Sequence, residues 1–315
     1  MNIIDYVRQY GDDTFEQRPF NNVDAFVFAS MGFVKFESKN LVPSFKEPDK
    51  KIYMHEIPEE YVDEICLDDL NAKNNADLLR LLKTKARYKD ISLQYEFNIV
   101  DELLTEQIYA ITLELPYVGH FILFRGTDAT KIGWAENMLA LNNDVSAAQL
   151  DAVEYLNIVH GIIGDKPFMI GGHSKGGTLT FYSTVFVEKP IQDLITKAYY
   201  FEGPGLPYKF YEKEEYLRVK DRIINIVPQD SIIGEFFYSP KNPLIVHALD
   251  KGFMQHDQYH WQVKDTDFEY VKERNPHTRV IHKLSKMMLQ EHDKQSVKDV
   301  IKLFELITYI DGHED

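Results

Sequence analysis

A single cysteine, Cys66, stands in the 315-residue sequence, so no intramolecular disulfide can close and no cysteine-based zinc cluster can be built. Positive charge is in deficit: 35 Lys and Arg face 50 Asp and Glu, a formal net charge of −15. Polyanions are bound by clustered cations, so this balance argues against a nucleic-acid partner and against tight adsorption on anionic headgroups. No stretch approaches the roughly 18 uninterrupted apolar residues of a membrane span. Residues 1–20, MNIIDYVRQYGDDTFEQRPF, mix charge with aromatics and lack the apolar centre of a secretory signal. With reduced cysteine and no signal, a cytoplasmic location is expected. Gly/Ser or Pro linkers, internal repeats and low-complexity tracts are absent as well. What remains, 44% apolar and 27% charged, is an ordinary folding composition.

Along the chain the hydrophobic period changes. Residues 1–90 read as a mainly helical extension. Asn21 and Asn22 offer a cap for a helix over 23–36 with one buried face, and Leu78, Leu79, Leu81 and Leu82 mark a second helix over 77–86. Residues 91–100, 107–115 and 120–124 are rich in β-branched and aromatic residues between short polar or Gly/Pro breaks, the pattern of an antiparallel meander. From there strands at 167–171, 198–201, 223–227 and 244–249 alternate with helices at 146–164, 175–187 and 207–217. That alternation predicts parallel pairing with crossover helices. Two further helices are expected at 277–292 and 296–310. The expected whole is a single α/β domain over 1–315, with its core at 91–310 and helices on both faces of a mixed, mostly parallel sheet.

The chemistry is carried by residues 167–177, PFMIGGHSKGG: a strand, then Gly-x-Ser-x-Gly, then a helix start. In that context the serine sits on a strained corner, and glycine is needed two residues to either side, where a Cβ would strike the neighbouring strand and helix. Ser174 is therefore the candidate nucleophile. A serine hydroxyl needs a base in reach and an acid to orient that base. Asp230 follows the strand over 223–227 by the short turn Pro228-Gln229, at the carboxyl end where such sheets gather function. It is the leading acid; Asp250 is the runner-up, and Asp221 lies at the wrong edge. His256, in the polar loop Gln255-His256-Asp257, is the leading base, with His260 and His247 as alternatives. His277, His282 and His292 belong to a charged helical stretch and read as surface residues. The oxyanion of acyl transfer needs fixed donors. The Lys175 N–H, directly after the nucleophile, and Thr127, in the turn Arg125-Gly126-Thr127, are the candidates. Nothing in the pattern calls for a metal or a cofactor.

These residues resemble the class 3, fungal-type lipase superfamily, and more closely an uncharacterised bacterial branch of it. The similarity rests on Phe124-Arg125-Gly126-Thr127 with Trp134 and Asn137 downstream, on Gly172-His173-Ser174-Lys175-Gly176-Gly177, and on Asn225-Ile226-Val227-Pro228-Gln229-Asp230. Pro19-Phe20-Asn21-Asn22-Val23-Asp24 and Gln255-His256-Asp257 with Trp261 extend it over about residues 19–263. The resemblance implies an α/β-hydrolase fold, a Ser174-Asp230-His256 triad, and an oxyanion hole around Thr127 and Lys175. It also implies a small-molecule or lipid-like ester as substrate. Thioester or amide cleavage by the same triad, and a catalytically silent binding protein, are the alternatives. Lys175 departs from the leucine usual after the nucleophile; a lysine there is expected to face solvent or to draw an anionic substrate. The apolar stretches at 206–211 and 232–238 are candidates for an acyl pocket or lid.

Overall fold

The computed structural model describes residues 1–67, 71–101, 106–127, 145–235, 238–240 and 242–275. Its centre is a nine-stranded sheet in the order β1-β2-β3-β4-β5-β6-β7-β8-β11. These strands are β1 (Ile52–Tyr53), β2 (Ser92–Asp101), β3 (Glu106–Leu115), β4 (Gly119–Phe124), β5 (Phe168–His173), β6 (Ile195–Phe201), β7 (Ile223–Pro228), β8 (Leu244–Val246) and β11 (Tyr270–Val271). Strands β1 to β4 pair antiparallel, and β4 to β8 run parallel. Strand β11 closes the far edge antiparallel to β8. A separate hairpin joins β9 (Val263–Lys264) to β10 (Asp267–Phe268).

Strand alternation builds two cores. On β4, Ile122 and Phe124 face the layer of α5 (Ala147–Ile163) and α6 (Lys175–Phe186), whereas Phe121 and Leu123 face the N-terminal helices. Those helices are α1 (Ile3–Tyr10), α2 (Asn22–Met31), α3 (Glu59–Val62) and α4 (Ala72–Thr84). Two short ones, α7 (Lys189–Leu194) and α8 (Glu214–Val219), support β6 and β7. The mixed sheet, its antiparallel meander and the helices on both faces are thus as the sequence pattern predicts.

Three elements depart from expectation. Helix α2 ends at Met31, five residues short of 36, because the chain turns to offer the Gly32 and Val34 carbonyls to Arg125. It is buried from Val23 to Met31 rather than on one face, so it runs through the core and does not lie over it. Its reciprocal Asn21–Asp24 cap does match the reading of Asn21. The expected helix over 207–217 is broken into a 3-10 turn at Tyr208–Phe210 and α8, and β8 stops at Val246. The helices expected at 277–292 and 296–310, with His277, His282 and His292, lie outside the described residues, as do Trp134 and Asn137.

Candidate active site

Strand β5 ends in Gly172-His173, and α6 begins one residue later. Ser174 forms the corner between them at φ 57°, ψ −130°, a conformation that a non-glycine residue adopts only under tertiary constraint. The constraint is visible in its neighbours. A Cβ on Gly172 would come within 2.4 Å of the Gly176 carbonyl carbon, and one on Gly176 within 2.3 Å of the Phe124 carbonyl oxygen. Two glycines are required for helix and strand to close on each other. The Ser174 N–H is held by the Phe201 carbonyl at 2.9 Å, which ties the corner to the end of β6.

The structure brings His256 to this corner. Its Nε2 lies 3.0 Å from Ser174 Oγ, and its Nδ1 lies 2.9 Å from Glu202 Oε2. A carboxylate can only accept, so Nδ1 carries the ring proton and Nε2 presents a lone pair to the hydroxyl. The carboxylate on the histidine is therefore Glu202 and not Asp230. Glu202 follows β6 directly, at φ 41° and fully buried, with its N–H on the Ile226 carbonyl of β7. Asp230 stands one strand further from β5. Its N–H donates to Gln255 Oε1 at 2.8 Å, and Gln255 Nε2 in turn reaches the Ala248 and Asp250 carbonyls. Asp230 thus anchors the turn that carries His256.

The other histidine candidates are engaged elsewhere. His260 Nδ1 meets the Met254 carbonyl and Asp250, and His247 Nδ1 faces Glu269 at 3.3 Å. Asp250 pairs with His260. Lys175 also departs from expectation: its side chain is only 6% exposed and its Nζ donates to the Gln107 carbonyl on β3, so it neither faces solvent nor offers a cation at the mouth. Thr127 follows β4 in a turn packed on the elbow, where a Cβ on Gly126 would meet the His173 carbonyl oxygen at 2.8 Å. Arg125 fixes this turn by donating to Gly32 O, to Val34 O and, in a fork, to both carboxylate oxygens of Glu37. The 206–211 and 232–238 stretches are joined where Leu206 and Tyr238 exchange backbone hydrogen bonds.

Two residues of this centre escaped the sequence reading besides Glu202. The His173 ring stacks on His256 with centroids 4.5 Å apart and is enclosed by Phe26, Phe33 and Trp261. Burial, with the electrostatic effect of the neighbouring His256 ring adding to it and a hydrogen bond to the His256 backbone working against it, holds the His173 imidazole well below its ordinary pKa, and so it is neutral. Arg274, after β11, has its pKa lowered by burial while the charge of Glu202 works against that shift. The signal that could have found Glu202 was present: in Phe201-Glu202-Gly203-Pro204-Gly205 a carboxylate follows a parallel strand directly, beside the nucleophile's own strand. One atom each from His173, Glu202 and His256 lies within 4.8 Å of the others, a donor set that could hold a cation.

A mixed sheet with a parallel half, helices on both faces and a serine at the strand-to-helix corner after its fifth strand defines an α/β-hydrolase fold. Within that class the chain belongs to the Mbeg1-like family, whose family model matches residues 82–305. That lipase-like family is consistent with the class 3 lipase-like superfamily indicated by the sequence motifs. Among solved structures, M37 lipase is similar at 14% identity and a TM-score of 0.42 over 67% of this chain and 69% of that one. The extracellular lipase LipA from Serratia marcescens is similar at 14% identity and a TM-score of 0.35, over 74% of this chain and 44% of LipA. No curated protein matches the sequence. No helix among the described residues is long and apolar enough to cross a membrane.

Proposed function

We propose that this protein hydrolyses carboxylic esters through an acyl-enzyme, with Ser174 as nucleophile, His256 as general base and then general acid, and Glu202 as the orienting acid. The observation that carries the reading is the unbroken chain from Ser174 Oγ to His256 Nε2 at 3.0 Å and from His256 Nδ1 to Glu202 at 2.9 Å. As Ser174 Oγ attacks the acyl carbon, Nε2 takes its proton. The resulting imidazolium is stabilised by Glu202 across the Nδ1–H bond, and its proton then goes to the leaving alkoxide. Water repeats the sequence on the acyl-enzyme.

The N–H groups of Lys175 and Thr127 are the proposed donors to the tetrahedral oxyanion. Lys175 opens α6, at the positive end of its dipole, and the turn through Thr127 is held against the same corner by the close approach of Gly126 to His173. The substrate is proposed to be a small-molecule or lipid-like ester. Support for an apolar acyl or alcohol group comes from Phe253, with its ring centroid 5.9 Å from that of His256, and from half-exposed Met254 and Leu249 in the adjoining loop.

The test is hydrolysis of p-nitrophenyl esters of increasing chain length, together with labelling by a fluorophosphonate. Wild-type protein is expected to turn over the ester and to take one label. Ser174→Ala should lower kcat by about a millionfold and abolish the label, with an unchanged circular dichroism spectrum. A folded wild type that neither labels nor hydrolyses would overturn the reading.

A further inference from the structure

His173 takes no part in the proton path proposed above, yet its ring lies against that path. It is 1% exposed, one edge of the ring faces the His256 backbone, and neither Nδ1 nor Nε2 closes a well-formed hydrogen bond among the described residues. Glu202 Oε1 is in the same position. The neutral ring carries its proton on one nitrogen and a lone pair on the other; buried polar atoms are nearly always satisfied, so that lone pair and Glu202 Oε1 mark a place for a group that accepts electron pairs. Two imidazoles and a carboxylate form the donor set that a zinc-class cation prefers, and hard cations such as magnesium take oxygen ligands instead. His173, His256 and Glu202 each bring one such atom within 4.8 Å of the other two.

We propose that a divalent transition-metal ion of the zinc class binds between His173, His256 and Glu202 and blocks the hydrolytic centre reversibly. Zinc–nitrogen bonds of about 2.0–2.1 Å in a tetrahedral site put ligand atoms roughly 3.3 Å apart. The present spacing of up to 4.8 Å must therefore contract by about 1.5 Å, within reach of ring rotation on the 3-10 turn that carries His256. Coordination through His256 Nε2 removes the acceptor for the serine proton. Coordination through Nδ1 displaces the proton held by Glu202. Either way the base is lost, while Ser174 itself is untouched. The site is reached from the mouth, where the His256 side chain is 18% exposed.

Cobalt(II) added to metal-stripped protein reads binding directly, because tetrahedral nitrogen and oxygen coordination gives intense visible bands. One equivalent is expected to bind wild type and to be displaced by zinc, with affinity lowered at least tenfold in His173→Phe and, separately, in Glu202→Gln. In the esterase assay zinc is expected to slow wild type at least tenfold, reversed by chelator, and magnesium to have no effect. His173→Phe, measured against its own metal-free rate, should need at least ten times more zinc. The inhibition rests on the hydrolase reading, whereas the cobalt measurement does not, so a protein without esterase activity still decides the site. No cobalt spectrum in wild type, or equal cobalt and zinc affinities in wild type and both variants, would overturn the proposal.

Discussion

Glu202 is held by three constraints at once: a left-handed backbone angle, a hydrogen bond to β7 and complete burial. A carboxylate fixed this firmly against Nδ1 selects the histidine tautomer, and an amide in its place permits the wrong one. Glu202→Gln is expected to lower kcat by roughly a thousandfold or more with KM nearly unchanged. Asp230→Asn keeps the backbone N–H that anchors Gln255, so its kcat should stay within about tenfold of wild type. Steady-state kinetics of the two variants side by side checks both; a collapse of Asp230→Asn alone would return the role to Asp230. The meeting of Ser174 with His256 was legible in the sequence because local context distinguishes them, glycines flanking the one and a polar loop after a strand carrying the other. The carboxylate that meets His256 was not, because two parallel strands in succession are followed by a carboxylate and only the third dimension decides which of them faces Nδ1. Lys175 was misjudged for a similar reason: a long aliphatic stem beside the elbow can run along buried surface to a strand carbonyl, and sequence gives no sign of that direction.

Among the elements, the turn after β4 is firmly pinned for its length. Arg125 spends its donors on Gly32, Val34 and Glu37 and lies with its guanidinium carbon 3.7 Å from the Tyr109 ring centroid. A planar fork satisfies all of these partners together and an ammonium cannot. Arg125→Lys should loosen Gly126-Thr127 and lower kcat by about ten- to a hundredfold, with KM little changed, if Thr127 serves the oxyanion. Equal losses in substrate binding and turnover would argue against that role.

The same network contains a pH-sensitive group. Tyr109 donates to Glu96 at 2.9 Å, and burial pushes the Glu96 carboxyl up to about 7, against the lowering effects of that bond and of Arg125. In the unfolded chain the group titrates near its ordinary value of about 4.3. The folded state therefore keeps a proton that the unfolded state releases between the two values, and the stabilisation present below about 4.3 is lost as pH rises through about 7. Glu96→Gln retains the acceptor for Tyr109 and removes the titration. Its Tm should match wild type at pH 4.5 and exceed it by about 2–4 °C at pH 8, read by calorimetry across that range. Helix α2 shows the limit of reading single elements. Its cap was plain in Asn21, but an all-round apolar helix looks one-sided until the sheet, Trp261 and α4 are seen to surround it.

Over the whole molecule, the first 90 residues and the turn that carries His256 share one core. Phe26 of α2 stacks on Trp261 with centroids 4.4 Å apart, and Trp261 Nε1 donates to the Gln255 carbonyl beside His256. The alternation of strands and helices made the sheet legible from sequence. It could not reveal this layer, because the contacts join residues more than two hundred positions apart. The layer is fastened by Asp24 and Arg87, both fully buried, whose carboxylate and guanidinium meet in a two-point pair. Tyr88 and Tyr6 also donate to Asp24, and Arg87 further donates to the carbonyls of Asp13, Thr14, Arg18 and Pro19. Every neighbour is therefore arranged for an anion at 24 and a cation at 87. Asp24→Asn leaves the guanidinium buried without its counter-charge, which costs about 3–5 kcal/mol. At roughly 2–4 °C per kcal/mol for a chain of this order, Tm should fall by about 10 °C. Because α2 supports the histidine turn through Trp261, the variant's kcat should decline before global unfolding begins, as a temperature series of ester hydrolysis against circular dichroism would register. Activity and ellipticity lost at the same temperature would mean that the layer stabilises the fold without tuning the site.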